Sequence, residues 1–156
     1  MTTKKKIFNI LLVGVFLATI TVLYLFNIPA RDIQDTATDY CYNASDIVNE
    51  YLTDAKKANN KYLDEEGNSK ILEITGVIAK ISEDFNNQKI ILLQAPTDKA
   101  GVSATFTKET NSHTSNLKTG DKITIKGVIR SGASFDSDLD MYENVIIEKS
   151  DIVSNK

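Results

Sequence analysis

A run of 22 uncharged residues, 7–28, follows directly on Lys4, Lys5 and Lys6, and it divides the chain into two parts that must meet different solvents. As a helix rising about 1.5 Å per residue, the run is roughly 33 Å long, enough to cross a hydrocarbon core about 30 Å thick. Asn9, Gly14, Thr19, Thr21 and Asn27 are its only breaks in apolar character. The lysine flank predicts a cytoplasmic N-terminus by the positive-inside bias, with everything after Pro29 outside. Tyr24 and Phe26 fall near the far interface, where aromatic rings are favoured. A cleaved signal peptide would carry an apolar core of about 7–15 residues and small residues at its cleavage point. This run is longer, and Ile28-Pro29-Ala30 puts isoleucine where a small residue is wanted. A lipid-modified cysteine should closely follow the apolar core, whereas Cys41 lies well past it. The expected organisation is a cytoplasmic tail at 1–6, a single-pass signal anchor at 7–28, a linker at 29–42 and a folded domain at 43–156.

The exterior part, about 125 residues, suffices for one compact domain and is too short for two. The whole chain carries a charge of −3; setting aside the three flanking lysines leaves 15 basic groups against 21 acidic ones, −6. That sign repels a phosphate backbone and argues against nucleic acid as the partner. One cysteine permits no internal disulfide, so Cys41 is a free thiol or a cross-link between two chains. With His113 as the lone histidine, no zinc-ligand spacing exists, and nothing implies a cofactor.

Ile47, Val48, Tyr51, Leu52, Ala55, Ala58 and Tyr62 recur at spacings of three and four, which predicts one amphipathic helix. Asn43 is its expected N-cap, Asp46 suits the positive pole in the first turn, and Lys56, Lys57 and Lys61 suit the other end. Residues 64–68, Asp-Glu-Glu-Gly-Asn, stop it. From Ile71 the period becomes two. Strands are expected at 71–82, 89–95 and 102–107, then at 122–130 and from Val145 to beyond Ile147. The Ile90-Ile91-Leu92-Leu93 centre of the second predicts burial on both faces. Asn86-Asn87 makes the first hairpin turn, Thr119-Gly120-Asp121 opens the fourth strand, and residues 109–117 hold at most one helical turn. A small closed barrel needs sharply coiled strands, and mid-strand Gly76 and Gly127 are where a bend or bulge costs least. The fold class is all-β with a flanking helix: a five-stranded OB barrel preceded by an amphipathic helix and the transmembrane helix. A two-sheet sandwich would need more strands. Tyr51 and Tyr62 are expected to cap one end of the barrel.

The segments Glu50-Tyr51-Leu52, Ala58-Asn59, Lys61-Tyr62 and Glu73-Ile74-Thr75-Gly76-Val77-Ile78 resemble the tRNA-anti-like family of bacterial envelope proteins. So does Leu117-Lys118-Thr119-Gly120-Asp121-Lys122-Ile123-Thr124-Ile125-Lys126-Gly127. The resemblance covers roughly residues 45–153 and implies a lipid or helix anchor, a leading helix and one OB barrel on a bacterial cell membrane. The family's name records likeness to the anticodon-binding barrel of tRNA synthetases and is no evidence of tRNA binding. The resemblance also implies a cysteine in the third strand and another near the last. Ala104 and Ser150 stand there instead, so that disulfide is absent.

Four carboxylates, Asp136, Asp138, Asp140 and Glu143, cluster between the fourth and fifth strands, and such oxygens can bind Ca²⁺. An EF-hand loop requires glycine at its sixth position, however, and Met141 stands there, so a solvated acidic loop is the expectation. Lys122, Lys126 and Arg130 alternate as a basic stripe, with the isoleucines opposite. Stacking aromatics beside it would signal single-stranded nucleic acid, but Phe106 alternates into the core. His113 lies in a polar loop without a nucleophile motif. The expected function is a non-enzymatic binding module for an envelope protein or small ligand, with its edge at residues 131–143, where Phe135 and Tyr142 accompany the carboxylates. The alternatives are a single-stranded nucleic-acid binder and an envelope-polymer hydrolase or transferase using Asp138 and Glu143.

Overall fold

The structure is a computed structural model that describes residues 3–27 and 31–153, with side chains from Ile10 onward. It divides into two units, Met1–Arg31 and Asp32–Lys156.

The first unit is one helix, α1 (Thr3–Phe26), whose described side chains are all exposed. Thr19 and Thr21 turn their hydroxyls back onto the carbonyls of Val15 and Leu17, 2.9 Å each, so these polar groups are satisfied within the helix. Among the described residues no helix is long and apolar enough to cross a membrane. The side chains of Lys4, Lys5 and Lys6, and residues 28–30, on which the topology expectation depended, lie outside what is described.

The second unit runs β1 (Tyr40–Asn43), α2 (Ala44–Thr53), α3 (Ala55–Tyr62), β2 (Ile71–Glu83), β3 (Lys89–Leu93) and β4 (Val102–Phe106). A 3₁₀ turn (Asn111–Thr114), β5 (Lys122–Ser131), β6 (Ser134–Asp136), β7 (Met141–Glu143) and β8 (Val145–Ile152) complete it. Strands β2, β3, β4, β8 and β5 are neighbours in that order, and β5 pairs back onto β2, which closes a five-stranded barrel. Within the barrel the pairs are antiparallel except β4–β8, which is parallel. This closed Greek-key barrel is the OB architecture expected from the strand pattern.

Alternation sorts each strand into core and surface. Val102, Ala104 and Phe106 are fully buried while Ser103 and Thr105 are half-buried. The expectation of burial on both faces of β3 is corrected: Ile91 and Leu93 are inside, whereas Ile90 and Leu92 stay half-exposed on the outer face. Gly127 sits at a register shift between β5 and β8, as a bulge requires. Gly76 has a different reason. A Cβ there would lie 3.0 Å from the Leu93 Cβ and 3.1 Å from the Ala44 Cβ, so glycine admits the start of α2 against the barrel. Ala104 and Ser150 are both fully buried.

The helical stripe is also corrected. It forms two helices, because Asp54 leaves helical geometry (φ −152°, ψ 83°) and accepts a hydrogen bond from the Lys57 N–H at 3.0 Å, capping α3. Ile47, Val48, Tyr51, Ala58 and Tyr62 still enter the main core together, while Ala55 is exposed. Asn43 occupies the N-cap of α2, yet its side-chain amide donates to Asp46 Oδ2 instead of accepting from the backbone.

The linker expectation changes most. Ile33 is 4% exposed and packs with Ile71 and Val128 in a second small core. Gln34 donates to the carbonyls of Lys126 and Lys149, and Lys126 Nζ donates to the carbonyls of Gln34 (2.9 Å) and Thr36 (2.6 Å). Residues 40–43 then form β1, parallel to β2 on the same edge that β3 takes further along. The domain therefore starts at Asp32, not at Asn43.

Candidate functional site

The outer face of β3, β4 and β8 is the part of an OB barrel bounded by the β2–β3 turn and the connection between its last two strands. Register aligns Leu92 with Ser103 and Ser103 with Ile146, and Ile90 with Thr105. The face is thus paved with half-buried Ile90, Leu92 and Ile146 between the hydroxyls of Ser103 and Thr105. Among the described residues, the outward positions of β3 and β4 carry no aromatic ring.

At the Lys89 end, the turn at 84–88 is rigidified by Asp84 Oδ1, which accepts from the N–H groups of Asn86 and Gln88, both at 2.8 Å. Asn87 takes φ +59°, a left-handed position that asparagine tolerates. The turn presents Phe85 fully exposed. Sequence reasoning passed over Phe85, although an aromatic ring in the middle of Asp-Phe-Asn-Asn cannot reach a core across so tight a turn.

At the Leu93 end, the expected loop at 131–143 is a second hairpin, β6–β7. Phe135 pairs with Tyr142, their ring centres 4.9 Å apart. The two rings part company there. Tyr142 packs against the main core with Lys99 Nζ 5.4 Å from its ring centre, whereas Phe135 is half exposed, alongside exposed Leu139 and Met141. The carboxylates serve the hairpin itself. Asp136 Oδ1 accepts from the N–H groups of Asp138 (2.8 Å) and Leu139 (3.1 Å), and Glu143 Oε2 accepts from the Ser134 hydroxyl (2.6 Å). Among the described residues, Asp136, Asp138, Asp140 and Glu143 included, no group of three or more His, Cys, Asp or Glu side chains is placed to hold a metal.

The basic stripe is largely consumed. Lys126 is turned onto residues 34–36, Arg130 Nε bonds Glu148 Oε2 at 2.8 Å, and Lys122 is exposed. His113, expected to be merely solvated, has its Nδ1 2.6 Å from Asp151 Oδ1. Cys41 is a free, exposed thiol on β1, pushed up in pKa by burial and then by the Glu73 carboxylate, which keeps it in the less reactive thiol form.

A cleft of about 410 Å³ lies behind the hairpin, between α3, residues 131–134 and the start of β8. Tyr51, 2% exposed, forms part of its wall, and burial followed by the Glu50 charge pushes its phenol up to about 12. On the far side of the helices, Lys61 fills a cage of Tyr40, Tyr42 and Tyr62, with ring centres 5.3, 5.3 and 4.7 Å from its ammonium. Neither the cleft nor the cage is visible as a local motif.

A family model described as tRNA_anti-like matches residues 1–137. No curated protein matches the chain. Among solved structures, the barrel is similar to that of a presumed nucleic acid-binding lipoprotein from Klebsiella pneumoniae. The likeness has a TM-score of 0.54 at 15% identity, over 81% of this chain and 100% of that one. At that identity the likeness establishes the fold.

Proposed function

This chain belongs to the tRNA_anti-like family, and on that premise we propose that its barrel is a non-enzymatic binding module held outside a bacterial membrane by α1. Its working surface is the outer face between Phe85 and the β6–β7 hairpin. The carrying observation is that this one face joins half-exposed Ile90, Leu92 and Ile146 to fully exposed Phe85 at one end and to Phe135, Leu139 and Met141 at the other. Aromatic and methionine side chains held out of the core on structured turns are what protein interfaces concentrate. The acidic hairpin carries Asp138 and Asp140 beside that apolar tip, which suits a basic, amphipathic partner.

The tether rests on the uncharged run at 7–28 behind three lysines and on the exposure of every described side chain of α1. The lipoprotein nature of the Klebsiella neighbour is consistent with an envelope location. That neighbour's description also raises nucleic acid as a ligand. Against it stand the −6 charge of the exterior part, the engagement of Lys126 and Arg130, and strands that offer hydroxyls and aliphatic groups where base stacking needs rings. The hydrolase alternative loses its carboxylate pair, since Glu143 lines the cleft behind the hairpin whereas Asp138 is not part of that lining and lies exposed on the hairpin.

Photo-crosslinking amino acids placed at Phe85, Phe135 and, as a control, Lys56 test the surface in intact cells. Adducts confined to positions 85 and 135 are expected, and equal labelling at 56 refutes the face. A salt-dependent gel shift on single-stranded nucleic acid would move the reading to the nucleic-acid alternative. Protease added outside the membrane should shave the domain from it; a soluble mature chain beginning near Arg31 would refute the anchor.

A further inference from the structure

We propose that the cleft between α3 and the β6–β7 hairpin is a saccharide site that takes one or two units of a neutral sugar chain. This rests on the reading of the domain as a binding module and places a small ligand at one end of the same face, since Ser103 and Ile146 belong to both. Its volume, about 410 Å³, lies within the usual range for small-molecule pockets.

The lining selects the chemistry. Asn59, Ser103, Ser131, Ser134 and Asn144 are polar and uncharged, and Glu143 is the one ionic group. A phosphate or carboxylate ligand would find no counter-charge and would face Glu143. A wholly apolar ligand would strip water from these hydroxyls and amides without replacing their bonds. A neutral polyol answers both conditions, because each of its hydroxyls donates and accepts. Leu63 and Ile146 supply aliphatic surface for the C–H face of a sugar ring.

Two groups are already held in position. Asn144 Oδ1 accepts the Gly101 N–H at 2.8 Å, which fixes the side chain and leaves its amide N–H donors for a ligand. Glu143 spends Oε2 on the Ser134 hydroxyl at 2.6 Å, which leaves Oε1 as an acceptor. Adjacent residues thus offer an amide donor beside a carboxylate acceptor, and neighbouring hydroxyls on a sugar ring match that pair. Deeper in the wall, the buried Tyr51 hydroxyl has no hydrogen-bond partner in the protein. That hydroxyl exposes almost no surface, so a ligand in the cleft would reach it only after the wall shifts. Gly132 lets that ring form the wall, since a Cβ there would lie 1.9 Å from Tyr51 Cε1.

The test is saturation-transfer NMR on the full chain in a detergent without a sugar headgroup, with chitotriose and maltotriose as probes. Saturable binding of at least one is expected, and Ala55→Trp should weaken it about tenfold by filling the cleft from an exposed helical position. An unchanged melting temperature shows that the variant has kept its fold. Should that variant melt early, Glu143→Gln, which keeps the packing, carries the same expectation of about tenfold weaker binding. Absence of binding by both sugars, or binding indifferent to both substitutions, overturns the proposal. If both sugars fail while crosslinks at positions 85 and 135 persist, only the saccharide site falls; if the crosslinks also vanish, the binding-module reading falls with it.

Discussion

Lys61 holds its ammonium 4.7 Å from the centre of the Tyr62 ring, and both residues bond the same carboxylate, Glu50, at 2.9 and 2.6 Å. The contact fastens α3 to α2 across the break at Asp54. Burial alone would raise the Glu50 carboxyl, but the hydrogen bonds from Tyr62 and Lys61 outweigh it and hold the group below the usual range. Bonding to Tyr42, Tyr62 and Glu50 pushes the lysine up.

The sign of the pH dependence follows. A carboxyl lowered on folding stabilises the fold above its unfolded value, about 4.3, and that contribution disappears as the pH falls through the lowered folded value. Thermal melts below about pH 5 should show the native protein losing stability more steeply than Glu50→Gln. Parallel curves would show that Glu50 is not responsible. The raised lysine contributes fully below its unfolded value of about 10.4 and loses that contribution only in stronger alkali, so neutral pH lies on the plateau.

Gly132 tests the packing of the barrel end. A methyl group at that position would lie 1.9 and 2.0 Å from two carbons of the Tyr51 ring, which is itself wedged in the core. Gly132→Ala should cost about 1–3 kcal/mol by overpacking. In the double variant with Tyr51→Leu, the total loss in denaturant melts should be smaller than the sum of the two single losses, since removing the ring removes the collision.

Phe135 and Tyr142 should separate when each is changed to serine. Tyr142→Ser loses a ring packed on the core and should lower stability by about 1–3 kcal/mol. Phe135→Ser, at a half-exposed position, should leave the melting temperature within about a degree or two while abolishing partner crosslinks. Equal destabilisation by the two would make both rings packing residues.

Lys126→Met removes the donor to the Gln34 and Thr36 carbonyls. Hydrogen bonds from a charged donor are worth about 1.5–3 kcal/mol each when buried, and partial exposure lowers that, so a total loss of about 1–3 kcal/mol is expected. Limited proteolysis should then cut within residues 32–39 at a protease concentration that leaves the native protein whole. Unchanged protection would show that the Ile33 contacts suffice.

The barrel was legible because each strand carries its own evidence. Val102 to Phe106 alternates cleanly, Gly120 turns at φ +96°, and Asn87 turns the first hairpin. What sequence reading missed rests on partners far apart in the chain. Lys126 looks like a solvated lysine until residues some 90 positions earlier are placed beside it. Tyr40-Cys41-Tyr42-Asn43 is too short to announce a strand, and it forms one only because the edge of β2 is available. The break at Asp54 hid inside an apolar stripe whose spacing continues through both helices. At the candidate site, the aromatic pair 135 and 142 could be named, but the register puts both rings on one face of the hairpin, and which of them is covered depends on how that hairpin lies against the core. The cleft assembles from five separate segments and has no signature in any one of them.

Because β1 runs parallel to β2 and is preceded by the strap at 34–36, a pull on the chain ahead of Asp32 reaches the barrel in stages. The Ile33 packing and the bonds of Gln34 and Lys126 take the load first. The β1 ladder then meets it along the strand axis, with its bonds loaded in shear together and not peeled one by one. Such an arrangement is a strain-relief joint: tension entering ahead of Asp32 would be spent at the edge of β2 before it reached β3 and β4.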